Sequence, residues 1–192
     1  MSSLVLATRN PHKLKEMQRL FEPLGVEIEA LPDGIELPPE EGVTFADNAL
    51  PKALTAAGAT GRAAIADDSG IEATALSGAP GVRSARYAGV DATDEENLAK
   101  FFEEVPADSR LRYVCALAYV NPSTGEERVF FGDCRGRMAR ERAGSNGFGY
   151  DPVFVPDATG DNRTMAELTD AEKDAISHRG HAVRALLRWI RL

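Results

Sequence analysis

Three features of the sequence predict an α/β fold. Short apolar runs alternate with longer segments of helical period, glycine-rich blocks fall at the joins, and one apolar run ends in two adjacent carboxylates, Asp67 and Asp68.

Ser3 to Ala7 reads as a short apolar strand. Asn10-Pro11 then supplies an N-cap followed by proline at the first helical position. The helix it opens carries Leu14, Met17, Leu20 and Phe21 on one face and ends near Gly25. Val26 to Leu31 alternates apolar and acidic residues, as a half-exposed strand does, and Pro32 to Gly42 is a Pro- and Glu-rich loop. Thr44 caps a helix running to about Ala57. Pro51 falls inside it and is expected to kink it, at a cost of about 3 kcal/mol if the lost hydrogen bond is not compensated. Ala63 to Ala66 reads as a buried strand leading into Asp67-Asp68-Ser69-Gly70, with a glycine turn expected at its end.

Beyond the block Gly78–Gly89, Thr93 and Glu96 form a capping box for a helix that buries Leu98, Phe101 and Phe102. Leu111 to Val120 and Arg128 to Cys134, joined through Asn121-Pro122-Ser123-Thr124-Gly125, form an expected antiparallel hairpin. Gly144 to Tyr150 is a glycine-rich loop. A second capping box, Thr169 with Glu172, opens a short helix, and Val183, Leu186, Leu187 and Ile190 stripe the last one.

With 192 residues and 43% hydrophobic content the chain can bury one sizeable core, so residues 1–192 are expected to form one domain, with room for two lobes. Met1 to Ala7 has no basic segment ahead of its short apolar run, and no apolar stretch reaches bilayer-spanning length. Cys115 and Cys134 sit in apolar strand segments and have no metal-ligand spacing, so they read as buried thiols. A cytoplasmic protein without a membrane partner is expected.

A net charge of −8 and a pI near 5.0 argue against wrapping nucleic acid, which draws on a basic surface. An anionic ligand must therefore meet a local basic patch. Such a patch is effective because charges farther off than about 8 Å are screened at physiological salt.

Four segments carry candidate chemistry. Asp67 and Asp68 are suited to a hard cation that also binds phosphate. Successive strand side chains point to opposite faces, so one carboxylate is expected to coordinate while the other orients a neighbouring turn. Asp-Asp-Ser-Gly is equally good turn chemistry. In the glycine block, Arg83, Ser84, Arg86 and Tyr87 offer donors for phosphate or a neighbouring subunit, or simply pair with nearby acids.

Thr8-Arg9-Asn10-Pro11-His12-Lys13 opens the first helix, where amides and the helix dipole attract phosphate and Thr8, Asn10 and Lys13 add side-chain donors. The plainer reading is that Asn10 only caps and Lys13 is solvated; His12 and His181 by themselves read as surface residues. Near the C-terminus, Lys173, Ser177, His178 and Arg179 lie with a candidate aromatic wall, Phe148 and Tyr150. A purine could stack on Phe148 while the cations donate to its carbonyl oxygens. Otherwise Ser177 caps the last helix and His178-Arg179 are exposed.

In order along the chain, TRNPHK (8 to 13), EEGVTFADNALPKA (40 to 53), ADDSG (66 to 70), GAPGVRSARYAG (78 to 89), FGYDPVF (148 to 154), MAEL (165 to 168) and EKDAISHRGHA (172 to 182) resemble the inosine/xanthosine triphosphate pyrophosphatase family. The resemblance covers Leu4 to about Leu187. It implies an elongated two-lobed α/β fold with a mixed sheet and a central cleft, and a homodimer. It also implies Mg²⁺-dependent cleavage of deaminated purine nucleoside triphosphates (dITP/ITP, XTP/dXTP) to monophosphate and pyrophosphate.

Carried over by motif, Asp68 matches the catalytic carboxylate that handles the attacking water and touches the metal, and Glu40 matches the other metal ligand. Glu41 stands where the family often has Thr or Asp, which makes it the competing ligand. The segment Thr8, Arg9, Asn10, Pro11, His12 and Lys13, together with Lys52 and Ser69, falls on phosphate-binding positions. Phe148, Gly149, Tyr150, Asp151, Lys173, His178 and Arg179 match the nucleoside pocket. A 6-keto purine presents an acceptor where adenine presents an amino donor, so ATP would leave donors such as Arg179 unpaired. The alternatives are a metal-dependent phosphohydrolase of other modified nucleotides, pyrimidines included, and a non-catalytic nucleotide-binding protein.

Overall fold

A computed structural model describes residues 3–190. It contains β1 (Ser3–Leu6), α1 (Pro11–Phe21), β2 (Glu27–Ala30), α2 (Phe45–Thr60), β3 (Ala64–Ala73), α3 (Asp94–Glu104), β4 (Arg110–Asn121), β5 (Glu126–Met138), β6 (Phe154–Pro156), α4 (Asp170–Ile176) and α5 (His178–Ile190). The strands make one six-stranded sheet in the order β2-β1-β3-β4-β5-β6. β1 runs parallel to β2 and β3, whereas β6 runs antiparallel to β5, so the sheet is mixed and the class is α/β as expected.

The helix starts follow local side-chain chemistry. Asn10 Oδ1 accepts from the His12 and Lys13 amides at 2.9 and 3.3 Å, with Pro11 in the first turn. Thr44, Thr93 and Thr169 each close a reciprocal capping box, with Asp47, Glu96 and Glu172. Loss of such a cap costs about 1 kcal/mol. α2 runs through Pro51 to Thr60, three residues farther than the pattern suggested.

The carboxylate segment departs from expectation. Instead of ending at a glycine turn, β3 continues through Asp67, Asp68, Ser69 and Gly70 to Ala73. The apolar residues on both sides, Ile65 and Ile71, are fully buried. Their burial keeps the chain extended against the turn preference of Asp-Ser-Gly, since each such side chain gains about 2 kcal/mol on leaving water.

Two compact units divide the chain. The first comprises the residues up to Asp68, Cys115–Gly132 and the chain from Ala182 on. Its core joins Leu4, Leu6, Met17, Phe21, Ile28, Ile65, Leu117, Val183 and Leu186. α2 lies close by burying small residues, Ala49, Ala53, Ala56 and Ala57. The second comprises Ser69–Val114 and Asp133–His181. Ile71, Leu98, Phe101, Leu111, Tyr113, Met138, Tyr150, Phe154 and Met165 fill its core. Cys115 and Cys134 are buried free thiols, and burial pushes the Cys134 thiol up to about 12. Among the described residues no helix is long and apolar enough to cross a membrane.

Candidate functional site

In the first unit the functional side chains gather around the end of that unit's part of β3. Strand alternation sends Asp67 and Asp68 to different neighbours. Asp67 Oδ2 lies 3.2 Å from Lys13 Nζ of α1, and Asp68 Oδ2 accepts from Asn48 Nδ2 of α2 at 2.8 Å. Lys52, one helical turn beyond Asn48, is buried and donates to Glu40 Oε1 at 2.6 Å and to the Asp67 carbonyl at 2.8 Å.

Asp68 is itself buried. Burial raises its carboxyl above the usual carboxylate range; Lys52 pulls it back, the Glu40 charge pushes it further up, and Lys13 and the Asn48 hydrogen bond pull it back again. Three acids, Asp67, Asp68 and Glu40, and two lysines, Lys13 and Lys52, thus share one electrostatic neighbourhood. Glu41, by contrast, is exposed.

The Thr8–His12 segment also holds local structure. Thr8 Oγ1 accepts from the Asn10 amide at 3.2 Å, and Asn10 in turn holds the first helical amides. The cap bonds engage the Asn10, His12 and Lys13 amides, and the Lys13 side chain is brought to the Asp67 carboxylate. Arg9 donates to the Leu31, Pro32 and Ile35 carbonyls at 2.8, 2.8 and 2.9 Å, pinning the start of the loop that leads to Glu40. Pro11 and His12 are exposed.

The second unit assembles the other group around the loop before β6 and the α4–α5 corner. Asp151 Oδ2 accepts Lys173 Nζ at 2.6 Å and the Phe148 amide at 3.0 Å, and Oδ1 accepts the Tyr113 hydroxyl at 3.1 Å. Gly147, with φ +73°, brings the backbone against this pair; a Cβ there would collide with Asp151 Oδ2 and Lys173 Nζ. Lys173 Nζ lies 5.2 Å and the Arg179 guanidinium 5.9 Å from the centre of the Phe148 ring.

Arg179, at 2% exposure, donates through Nη2 to Ser69 Oγ at 2.9 Å. His178 is also buried and stacks on Tyr113, with centroids 4.7 Å apart and planes 11° apart. Ser177 Oγ accepts from the Gly180 amide at 3.0 Å, so it does cap α5, yet His178 and Arg179 are not the exposed first-turn residues that the plainer reading expected.

Tyr150 belongs to the core. Its hydroxyl donates to the Ser84 carbonyl at 2.7 Å and its ring meets Phe101 edge-on at 5.0 Å, while the Phe148 ring lies beside Lys173 and Arg179. Gly149 is half-buried between the two. In the glycine block, Ser84 is buried, accepting from the Ile71 amide at 2.9 Å and donating to the Gly81 carbonyl at 2.6 Å, and Tyr87 hydrogen-bonds Glu104. These two donors serve the fold.

Three residues of these groups were missed by the sequence reading: Asn48, Gly147 and Tyr113. Gly147 carried a signal, since a glycine one residue before Phe148 marks a close approach. Asn48 and Tyr113 act through partners distant in the chain and had none.

Comparison with known proteins gives relatives over nearly the whole chain. A dITP/XTP pyrophosphatase of Frankia alni is 51% identical over 199 residues, covering 98% of this chain and 96% of the relative. One of Escherichia coli (strain K12) is 46% identical over 197 residues, covering 100% and 99%. A solved HAM1 protein from Coxiella burnetii superposes with a TM-score of 0.85 at 41% identity, covering 100% and 99%. A family model described as the Ham1 family matches residues 4–189, and the chain belongs to that family.

Proposed function

We propose that the protein hydrolyses deaminated purine nucleoside triphosphates, dITP/ITP and XTP/dXTP, to the monophosphate and pyrophosphate. The observation that carries this reading is the buried Asp68 carboxylate, set in the combined field of Glu40, Lys13 and Lys52. The substrate class is supported by the relatives of high identity that bear the name dITP/XTP pyrophosphatase.

Mg²⁺ fits the residues present. The Glu40 charge raises the cost of ionising Asp68, and a cation held by these carboxylates would lower that cost. Among the described residues no group of three or more His, Cys, Asp or Glu could hold a metal ion. Mg²⁺ needs no such cage, because it takes one or two carboxylates and fills its shell with water and substrate phosphate. When bound, it supplies charge neutralisation to the phosphates and a lowered water pKa.

The chain's own residues do the rest. Asp68 accepts the proton of the water that attacks the α-phosphorus, a role favoured by a carboxyl raised towards neutrality. As the bond from the α-phosphorus to the bridging oxygen breaks, the pyrophosphate takes the electron pair, and Lys13 and Lys52 stabilise its charge. Phe148 stacks the base, Lys173, His178 and Arg179 donate to its keto oxygens, and Ser69 binds phosphate.

A homodimer, implied by the resemblance of the motifs, and a cytoplasmic location, expected from the sequence, complete the reading and are checked by light scattering and fractionation. The deciding experiment is pyrophosphate release across ITP, XTP, GTP, ATP and dUTP with Mg²⁺ or EDTA. ITP and XTP are expected to exceed ATP by orders of magnitude, with no release in EDTA. Equal rates for ITP and ATP would favour a general phosphohydrolase.

A further inference from the structure

We infer that Tyr113 is a positioning residue of the base pocket, holding the Asp151 carboxylate and the His178 ring in register and so contributing to base selectivity. The inference rests on the reading of Phe148, Lys173, His178 and Arg179 as the base pocket.

Tyr113 lies on β4, 6% exposed, in the core of the second unit. Its ring is held on one side by Phe154, with centroids 4.5 Å apart, and it stacks nearly parallel on His178 at 4.7 Å. Its hydroxyl donates to Asp151 Oδ1 at 3.1 Å while Lys173 and the Phe148 amide donate to Oδ2 at 2.6 and 3.0 Å. The two oxygens of one carboxylate are therefore fixed from β4, from α4 and from the loop before β6.

A carboxylate held at one oxygen can rotate about its Cβ–Cγ bond, and a carboxylate held at both cannot without breaking a hydrogen bond. The Tyr113 bond thus sets the plane in which Oδ2 receives the Lys173 ammonium. That ammonium is one of the two cations beside Phe148. The same tyrosine fixes the tilt of the His178 ring, so one buried side chain orients two groups assigned to the base without touching it. Burial and the Asp151 charge push the phenol well above its usual range, so the hydroxyl remains a donor throughout the working pH range.

Tyr113→Phe keeps the stacked ring and removes the donor; Tyr113→Leu removes both. Each full-length variant is compared with wild type for kcat and KM on ITP and ATP with Mg²⁺, alongside thermal unfolding. For Tyr113→Phe we expect the KM for ITP to rise roughly 3- to 10-fold, the worth of one hydrogen bond. The kcat should stay within about twofold, and the ITP-to-ATP ratio of kcat/KM should fall in proportion, because the base pocket binds ground and transition states alike. Tyr113→Leu should lose more of the ratio.

A role in packing alone lowers the unfolding temperature and leaves the KM of the folded enzyme and the ratio unchanged. That result overturns the positioning role while the pocket reading stands. A wild type without preference for ITP over ATP overturns both.

Discussion

Asn48 donates through Nδ2 to Asp68 Oδ2 at 2.8 Å, and its Oδ1 accepts from the Gly42 amide at 2.7 Å. One side chain thereby ties the buried carboxylate to the end of the loop that carries Glu40, and the two bonds together fix which way the amide points. A Cβ on Gly42 would clash with Asp47 and Asn48, so the close approach of that loop is part of the arrangement.

This relationship makes two variants informative about one group. Asp68→Asn should keep the fold and lower turnover by roughly 10²-fold or more, the range for a lost general base. In Asn48→Ala the carboxylate loses a donor that favours its ionised form. Its pKa, already raised by burial, then rises further, and the acidic limb of the kcat/KM profile should move to higher pH. A limb that stays in place means that another group titrates there.

Much of this arrangement was legible because it is local. Asn10, Thr44, Thr93 and Thr169 cap within three residues of themselves, and such pairs show in any short window of sequence. The identity of Asn48 and Tyr113 was hidden because their partners lie 20 and 38 residues away. The glycine turn expected after Asp68 failed for the converse reason: local turn chemistry in Asp-Ser-Gly was overridden by burial of Ile65 and Ile71 on both sides. The burial of Tyr150 was hidden for the same reason as Asn48 and Tyr113, since its hydroxyl bonds the Ser84 carbonyl 66 residues away and its ring meets Phe101.

Glu40 and Glu41 are adjacent in sequence and different in setting. Glu40 pairs with buried Lys52 and its charge reaches Asp68, whereas Glu41 is exposed. Glu40→Gln should therefore raise the Mg²⁺ concentration needed for half-maximal rate by roughly tenfold or more, a carboxylate ligand being lost. Glu41→Gln should leave it within about twofold, as expected for an exposed charge. Metal titrations of both variants decide between them, and the opposite ranking assigns the ligand to Glu41.

Arg9 gives a further handle on the same loop. Its three bonds to the Leu31, Pro32 and Ile35 carbonyls hold a segment that has no regular secondary structure before α2. Arg9→Ala should speed proteolytic cleavage within residues 32–42 and raise the Mg²⁺ requirement, with kcat at saturating Mg²⁺ largely kept. If Arg9 instead met substrate phosphate, the loss would fall on the KM for the nucleotide, and cleavage of the loop would not change.

Arg179 tests the assignment of the base. It is fully buried, it donates to Ser69, and it lies 5.9 Å from the centre of the Phe148 ring, so its truncation is expected to weaken the fold as well as the site. The ratio of kcat/KM for ITP to that for ATP separates the two effects, because the fraction of folded enzyme cancels in it. A donor set built for a keto oxygen is left unpaired by the amino group of adenine, and discrimination of this kind reaches ~10⁴-fold. If Arg179 supplies part of it, Arg179→Ala should cut ITP turnover far more than the low rate on ATP, and the ratio should collapse. If its work is confined to holding Ser69 and packing against Phe148, both rates fall together and the ratio stays where it was. The hydrolase assignment would survive that second result, since it rests on Asp68, Glu40 and the two lysines, but base recognition would then pass to Lys173 and His178.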